Sequence, residues 1–218
     1  MSNNTELILG LSCLIPTLYC FFVLKKIETS YRLFFFVILS DVVIELVNVV
    51  IKKVFFIRIP IVFFNCYLLI NFFFFLHFVS YNKYIKKNLG ILLFIVSIII
   101  FIANGFYEVS INKFYFFFLC FTSMVMLFVS IKILSAQIFE TNKKLFKNFW
   151  FLFSCGAVLY HSFTLLIFGL YYFSLFKTPN GRSVVYIHHF VNVAYYLILT
   201  WAIYYIPKSN NKMANKNV

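Results

Sequence analysis

The sequence predicts an all-α fold: a polytopic transmembrane bundle of seven helices, with the amino terminus outside and the carboxyl terminus in the cytoplasm. Three observations carry that expectation. Seven apolar stretches fill nearly all of the 218 residues, each close to the roughly 20 residues that a helix needs to cross the hydrocarbon core. The chain is 63% hydrophobic and 11% charged, with a mean hydropathy of +0.95, which is more apolar surface than a soluble domain of this length can hide. Finally, Lys and Arg sit between the stretches and are unevenly shared by the two sides. Lys25, Lys26, Arg32, Lys83, Lys86, Lys87, Lys132, Lys143, Lys144, Lys147, Lys208, Lys212 and Lys216 fall on one side, thirteen of the 19. Lys52, Lys53, Arg58, Lys113, Lys177 and Arg182 make up the other six. The positive-inside rule then sets the orientation and the cell (inner) membrane as the location. The basic loops have the anionic headgroups of the lipid bilayer to meet, so the net charge of +13 does not indicate a nucleic-acid partner.

Each element follows in order. The first span, 7–24, has no basic segment before its apolar core and is followed by Lys25 and Lys26, so it reads as a retained helix and not a cleaved signal. The second, 33–51, carries Asp41, Glu45 and Asn48. The third, 59–81, contains Asn65, Asn71 and His77, and the fourth, 89–106, ends near Asn104. The fifth, 114–134, precedes the longest connection, 135–148, which either extends that helix or lies at the interface. The sixth, 149–173, has Tyr160 and His161 near its middle, and the seventh, 184–206, begins with His188, His189 and Asn192 before Tyr195 and Tyr196. The tail 207–218, rich in Asn and Lys, reads as a disordered basic cytoplasmic segment. Tyr81, Trp150, Tyr204 and Tyr205 at span ends fit an interfacial belt. The 33 Phe read as lipid-facing filler in place of Leu. The five cysteines, all inside spans, read as small apolar fillers and not as a disulfide framework or metal knuckle.

The chemistry has to come from the few polar side chains at depth. A charge at the centre of the membrane costs at least about 2.5–3.5 kcal/mol, so intramembrane acids are candidate functional groups. Asp41, Glu45 and Asn48 share one helical face, which must point into the bundle. Two carboxylates one turn apart repel, and no Lys or Arg lies at matching depth in another span. Their partners are then His, Tyr, Asn, water or a ligand. With the amino terminus outside, Asp41, Tyr160 and His161 come near the midplane, and Glu45, Asn48, His188 and Asn192 in the outer half. The candidate ligand or proton site is therefore Asp41, Glu45, Asn48, Tyr160, His161, His188 and Asn192, a pocket open to the outside. Interhelical hydrogen bonds that only fix packing are the competing role for such residues.

Several classes are excluded by pattern. The seventh span has no lysine for a retinal Schiff base, and there is no H-E-x-x-H helix, G-x-S-x-G elbow or phosphate-cradling glycine loop. No cofactor, metal or catalytic residue is assigned, and an enzyme is the least favoured class because no nucleophile–base pair is identifiable. The Asp-Arg-Tyr and Asn-Pro-x-x-Tyr motifs of G-protein-coupled receptors are absent. No internal repeat of a transporter kind is visible.

Ser40-Asp41 with Glu45, Asn65-Cys66-Tyr67, Phe149-Trp150 with Gly156 and Tyr160, and Ile187-His188 with Asn192 together resemble a family of short seven-helix membrane proteins of Bacteroidota-like bacteria, often encoded beside sensor histidine kinases. Members carry an acid after the third-helix Tyr where this chain has Asn71. The resemblance implies a part in signal reception, with a membrane histidine kinase or other signalling protein as partner. The expected function is a small-ligand or membrane-state sensor acting through that separate partner. The alternative is a small secondary transporter, proton-coupled through Asp41 and Glu45.

Overall fold

The computed structural model describes residues 11–54, 61–107, 115–140, 145–172 and 179–207. Among them are seven α-helices and no strand: α1 (Leu14–Val23), α2 (Thr29–Val54), α3 (Ile61–Tyr81), α4 (Lys87–Tyr107), α5 (Phe116–Glu140), α6 (Phe149–Tyr172) and α7 (Pro179–Tyr204). The short 3-10 turns Leu11–Cys13 and Leu145–Lys147 precede α1 and α6. Residues 1–10 and 208–218 lie outside the described residues, so the start of the first span and the basic tail do too. Among the described residues four helical segments are long and apolar enough to cross a membrane: Val62–Tyr81, Lys87–Phe106, Phe116–Phe139 and Phe149–Leu170. Leu14–Val23 and His189–Tyr204 are shorter apolar helices. Helix α2, at 26 residues, is about 39 Å long at 1.5 Å per residue.

Hydrogen bonds between helix ends define two ends of the bundle. At one, the Glu28 N–H donates to the Pro207 carbonyl (3.1 Å), Asn82 to the Ser30 carbonyl (3.2 Å) and the Trp150 indole N–H to the Tyr31 hydroxyl (3.0 Å). There too, the Asn148 amide donates to Gln137 Oε1 (2.6 Å) and the Gln137 amide to the Tyr84 hydroxyl (3.1 Å). The starts of α2 and α6 therefore meet the ends of α3, α5 and α7. Lys25, Lys26, Lys83, Lys86 and Lys147 lie in these connections and Arg32 in the first turn of α2, and we call this the basic end. At the opposite end the ring of Tyr172 stacks on Phe116, 4.1 Å between centroids, and α5 begins beside α3 and α4. That start has no capping side chain of its own, because Tyr115 precedes it. Asn104 of α4 accepts from the Phe118 N–H (2.8 Å) and Asn65 of α3 from the Tyr115 N–H (3.4 Å). Orphan donors of a helix start must find acceptors in a medium without water, and these two asparagines supply them.

The interior holds polar side chains among a majority of apolar ones, and large apolar side chains face outward. Asn65, Ser97, Ser130 and Ser154 are completely buried, as are Asp41, Asn71, Asn104 and His161 to within a few per cent, while Phe22, Ile99, Phe106, Phe128 and Phe139 face outward. Outward-facing Phe and Ile suit an apolar solvent.

Several boundaries and roles differ from expectation. Helix α5 continues to Glu140 beyond 134, and α7 begins at Pro179 ahead of 184, where proline's missing N–H and fixed φ suit a first helical position. Phenylalanine is not only lipid-facing filler: Phe34, Phe72, Phe75, Phe78, Phe118 and Phe153 are among the largest fully buried side chains. Helix–helix contact in lipid depends on close packing, not on apolar burial, and flat rings interlock well. Trp150 is likewise no belt residue. It is buried among Tyr31, Phe78, Tyr84 and Phe149, stacked on Phe78 at 4.8 Å. The cysteines are free, with Cys66 exposed and Cys13 and Cys20 buried.

Helix α3 ends in a Schellman motif. The Tyr84 N–H donates to the Val79 carbonyl and the Lys83 N–H to the Ser80 carbonyl, both at 3.0 Å. Lys83 is left-handed, with φ of 65°, where glycine is the usual residue. Lys83→Gly is therefore expected to stabilise the protein by about 1 kcal/mol, read as a higher midpoint in denaturation by sodium dodecyl sulfate. Across from it Gly90 opens α4 close to α3: a Cβ there would lie 2.5 Å from Ser80 Oγ.

Candidate functional site

A cavity of about 240 Å³ lies between five helices, from mid-bundle toward the end opposite the basic one. Its floor is aromatic. Phe75 and Phe153 line it, and Phe153 packs edge-on to Phe34 and Phe78 in the cluster around Trp150. Helix α2 contributes Val37, Asp41 and Ile44, and α3 contributes Phe64, Tyr67, Leu68 and Asn71. Leu119, Thr122, Ser123 and Met126 come from α5; Ala157, Tyr160, His161 and Thr164 from α6; Asn192, Tyr195 and Tyr196 from α7.

Asp41 is the centre of the polar wall. The Tyr67 hydroxyl donates to its Oδ1, and so does the Asn71 amide at 2.8 Å. The same Asn71 nitrogen reaches Ser40 Oγ (3.0 Å) and the Val37 carbonyl (3.3 Å), and Ser40 donates to that carbonyl at 2.7 Å. One asparagine thus ties α3 to the backbone and to the acid of α2.

Across the cavity Tyr160 of α6 stacks on Tyr195 of α7 at 4.7 Å, and Tyr195 contacts Tyr196 at 5.3 Å. His161 sits edge-on to Tyr160 at 5.1 Å. It is buried, and neither its Nδ1 nor Asn192 Oδ1 has a hydrogen-bond partner among the described residues. Thr122 donates to the Phe118 and Leu119 carbonyls (3.0 and 3.2 Å), and Thr164 donates to the Tyr160 carbonyl (2.8 Å). Both threonines have used their proton on their own helices and present lone pairs. The α6–α7 spacing that positions the tyrosines depends on Gly156: a Cβ there would stand 3.2 Å from Ile198 and 3.3 Å from Tyr195.

Of the residues singled out in the sequence, Asp41, Tyr160, His161 and Asn192 come together on this cavity. Glu45, Asn48 and His188 belong to α2 and α7, but their side chains lie outside the described residues. Asn65 and Asn104 serve the start of α5, and His77 is exposed, stacked face to face with Phe73 at 6.1 Å. Sequence reasoning did not assign Tyr67, Asn71, Thr122, Ser123, Tyr195 or Tyr196 to the site. Asp41's need for neutral donors at its depth was a signal for Tyr67 and Asn71, whereas the α5 hydroxyls carried none. Among the described residues no group of three or more His, Cys, Asp or Glu is placed to hold a metal ion. Comparison with known proteins returned no matching family model, no matching curated protein and no matching solved structure.

Proposed function

We propose that this chain is a receptor-like sensor of the cell membrane that takes a small ligand into the cavity around Asp41 and reports occupancy to a separate signalling protein. The observation that carries the reading is the cavity itself: a carboxylate, a histidine and four tyrosines converge from α2, α3, α6 and α7 on one space. Occupancy has a physical route to the helices, because each wall belongs to a different one and a ligand that touches several biases their relative positions. The uneven distribution of Lys and Arg supports a cytoplasmic basic end and an outside amino terminus. The cavity then opens on the outer half, and the basic loops are the surface offered to a partner. A membrane histidine kinase is the partner that the family resemblance suggests.

A carboxylate at mid-bundle also suits proton-coupled transport, so the test has to separate the two. Purified protein in liposomes is loaded with a pH-sensitive dye and challenged with solute gradients. A sensor gives no solute-dependent proton flux, while crosslinking in cells captures a signalling protein at Lys83, Lys86 or Lys147. Flux that disappears in Asp41→Asn would replace the sensor with the transporter.

A further inference from the structure

We infer that the cavity is built for an uncharged aromatic alcohol or phenol of about ten non-hydrogen atoms, with His161 and Asn192 as the groups that bind its hydroxyl. The inference rests on the ligand-cavity reading above and adds the ligand's chemical class; it draws nothing from the charge of Asp41. Two buried polar atoms of the lining residues stand without a hydrogen-bond partner among the described residues, His161 Nδ1 and Asn192 Oδ1. His161, on α6, is only 7% exposed. Asn192 lies on α7 one turn before Tyr195, whose ring stacks on Tyr160 beside His161. Unpaired polar groups are costly where water is excluded, so two of them on the walls of one space mark where a ligand's polar group goes.

The chemistry of the two atoms selects that group. Asn192 Oδ1 is an acceptor and needs a donor, whereas an imidazole nitrogen donates or accepts according to its tautomer. A hydroxyl does both, so it answers His161 in either tautomer; an ammonium only donates and a carboxylate only accepts. Thr122 and Thr164 have donated their protons to backbone carbonyls, which leaves their oxygens as further acceptors in the wall. No Lys or Arg among the described lining residues is there to pair an anion. The remaining surface suits a flat ring. Phe75 and Phe153 stack at the floor, 6.3 Å between centroids, and the stacked Tyr160 and Tyr195 stand above them, surfaces that rings meet in offset or edge-on contact. Size fits as well: 240 Å³ corresponds to about eight waters at about 30 Å³ each, or a molecule such as 2-phenylethanol.

The experiment uses the full chain in nanodiscs and probes of similar shape: 2-phenylethanol, its methyl ether, propylbenzene, phenethylamine and 3-phenylpropionate. Calorimetry reads binding against empty nanodiscs, which removes partitioning into lipid. The expected result is saturable binding of the alcohol, at least about tenfold tighter than any other probe, lost in Ala157→Phe, which fills the space. This ranking needs no variant of the polar residues. Asn192→Leu and His161→Phe should each weaken the alcohol by about tenfold or more and leave propylbenzene unchanged. Neither should lower the midpoint of denaturation by sodium dodecyl sulfate, because an apolar side chain replaces a polar one that has no partner. A lowered midpoint in both would assign the two side chains to packing and overturn their role. If the ether or the hydrocarbon binds as well as the alcohol, or the amine or carboxylate binds best, and Ala157→Phe removes it, the hydroxyl assignment is overturned while the ligand cavity stands. Absence of binding by all the probes overturns the inference, and a ligand-dependent signalling output blocked by Ala157→Phe would then still preserve the cavity's function.

Discussion

Trp150→Ala is expected to cost about 3–5 kcal/mol of stability. The indole is buried where α2, α3 and α6 meet, against Phe78, Tyr84, Tyr31 and Phe149, and its N–H donates to the Tyr31 hydroxyl. Truncation opens a void the size of a bicyclic ring in a region held by dispersion contacts, which lipid tails cannot fill without separating the helices. Trp150→Phe separates packing from bonding. It keeps an aromatic ring, loses the hydrogen bond and should cost only about 1 kcal/mol. Titration with sodium dodecyl sulfate, followed by circular dichroism, measures both. The Tyr31→Phe/Trp150→Phe cycle should show coupling; strict additivity would mean that the bond contributes nothing.

Gly156→Leu is the second large effect. The position where a Cβ would go already stands 3.2 Å from Ile198 and 3.3 Å from Tyr195, so the remaining side-chain atoms have no space and α6 must move off α7. Overpacking of this kind costs about 1–3 kcal/mol, and here it also displaces Tyr195 and its partner Tyr160 from the cavity wall. Gly156→Ala marks the opposite limit. A gain of about 1 kcal/mol in helix propensity opposes a few tenths of an ångström of crowding, so near-neutral stability is expected. Thermal unfolding in detergent and probe binding by the same samples distinguish the two: Gly156→Leu loses both stability and binding, and Gly156→Ala retains both.

The helices were legible because twenty-residue apolar runs broken by lysines leave little else to form. Their ends were less so: α5 crosses Lys132 and Gln137 and runs on to Glu140, since a charged residue near the membrane surface does not stop a helix. Rotation of each helix about its axis was harder still. In water an amphipathic stripe marks the buried face, but in this chain both the core-facing Phe34 and the outward Phe36 are the same residue. Only polar residues break that degeneracy. Asp41 therefore oriented α2, while Trp150, at a span's first turn, resembled an interfacial anchor until Tyr31 and Tyr84 were seen to enclose it. The tyrosines of the cavity were visible as residues but not as a group, because Tyr67, Tyr160 and Tyr195 meet only through the packing of three helices far apart in sequence.

A ligand cavity of this kind requires one polar space, accessible to water, inside a bundle whose outer surface faces lipid. Single cysteines at Thr164 and Leu166 test it most directly, in a background where Cys13, Cys20, Cys66, Cys120 and Cys155 are replaced by Ala. Both positions are on α6, two residues apart, but Thr164 lines the cavity and is buried, whereas Leu166 is half exposed on the outside of the bundle. The thiolate, which forms only where water reaches, attacks a charged, membrane-impermeant thiol reagent. In lipid vesicles Thr164→Cys is expected to be modified at least about tenfold faster than Leu166→Cys, with Ala157→Phe slowing it. Faster modification of Leu166→Cys, with Thr164→Cys inert, would contradict it.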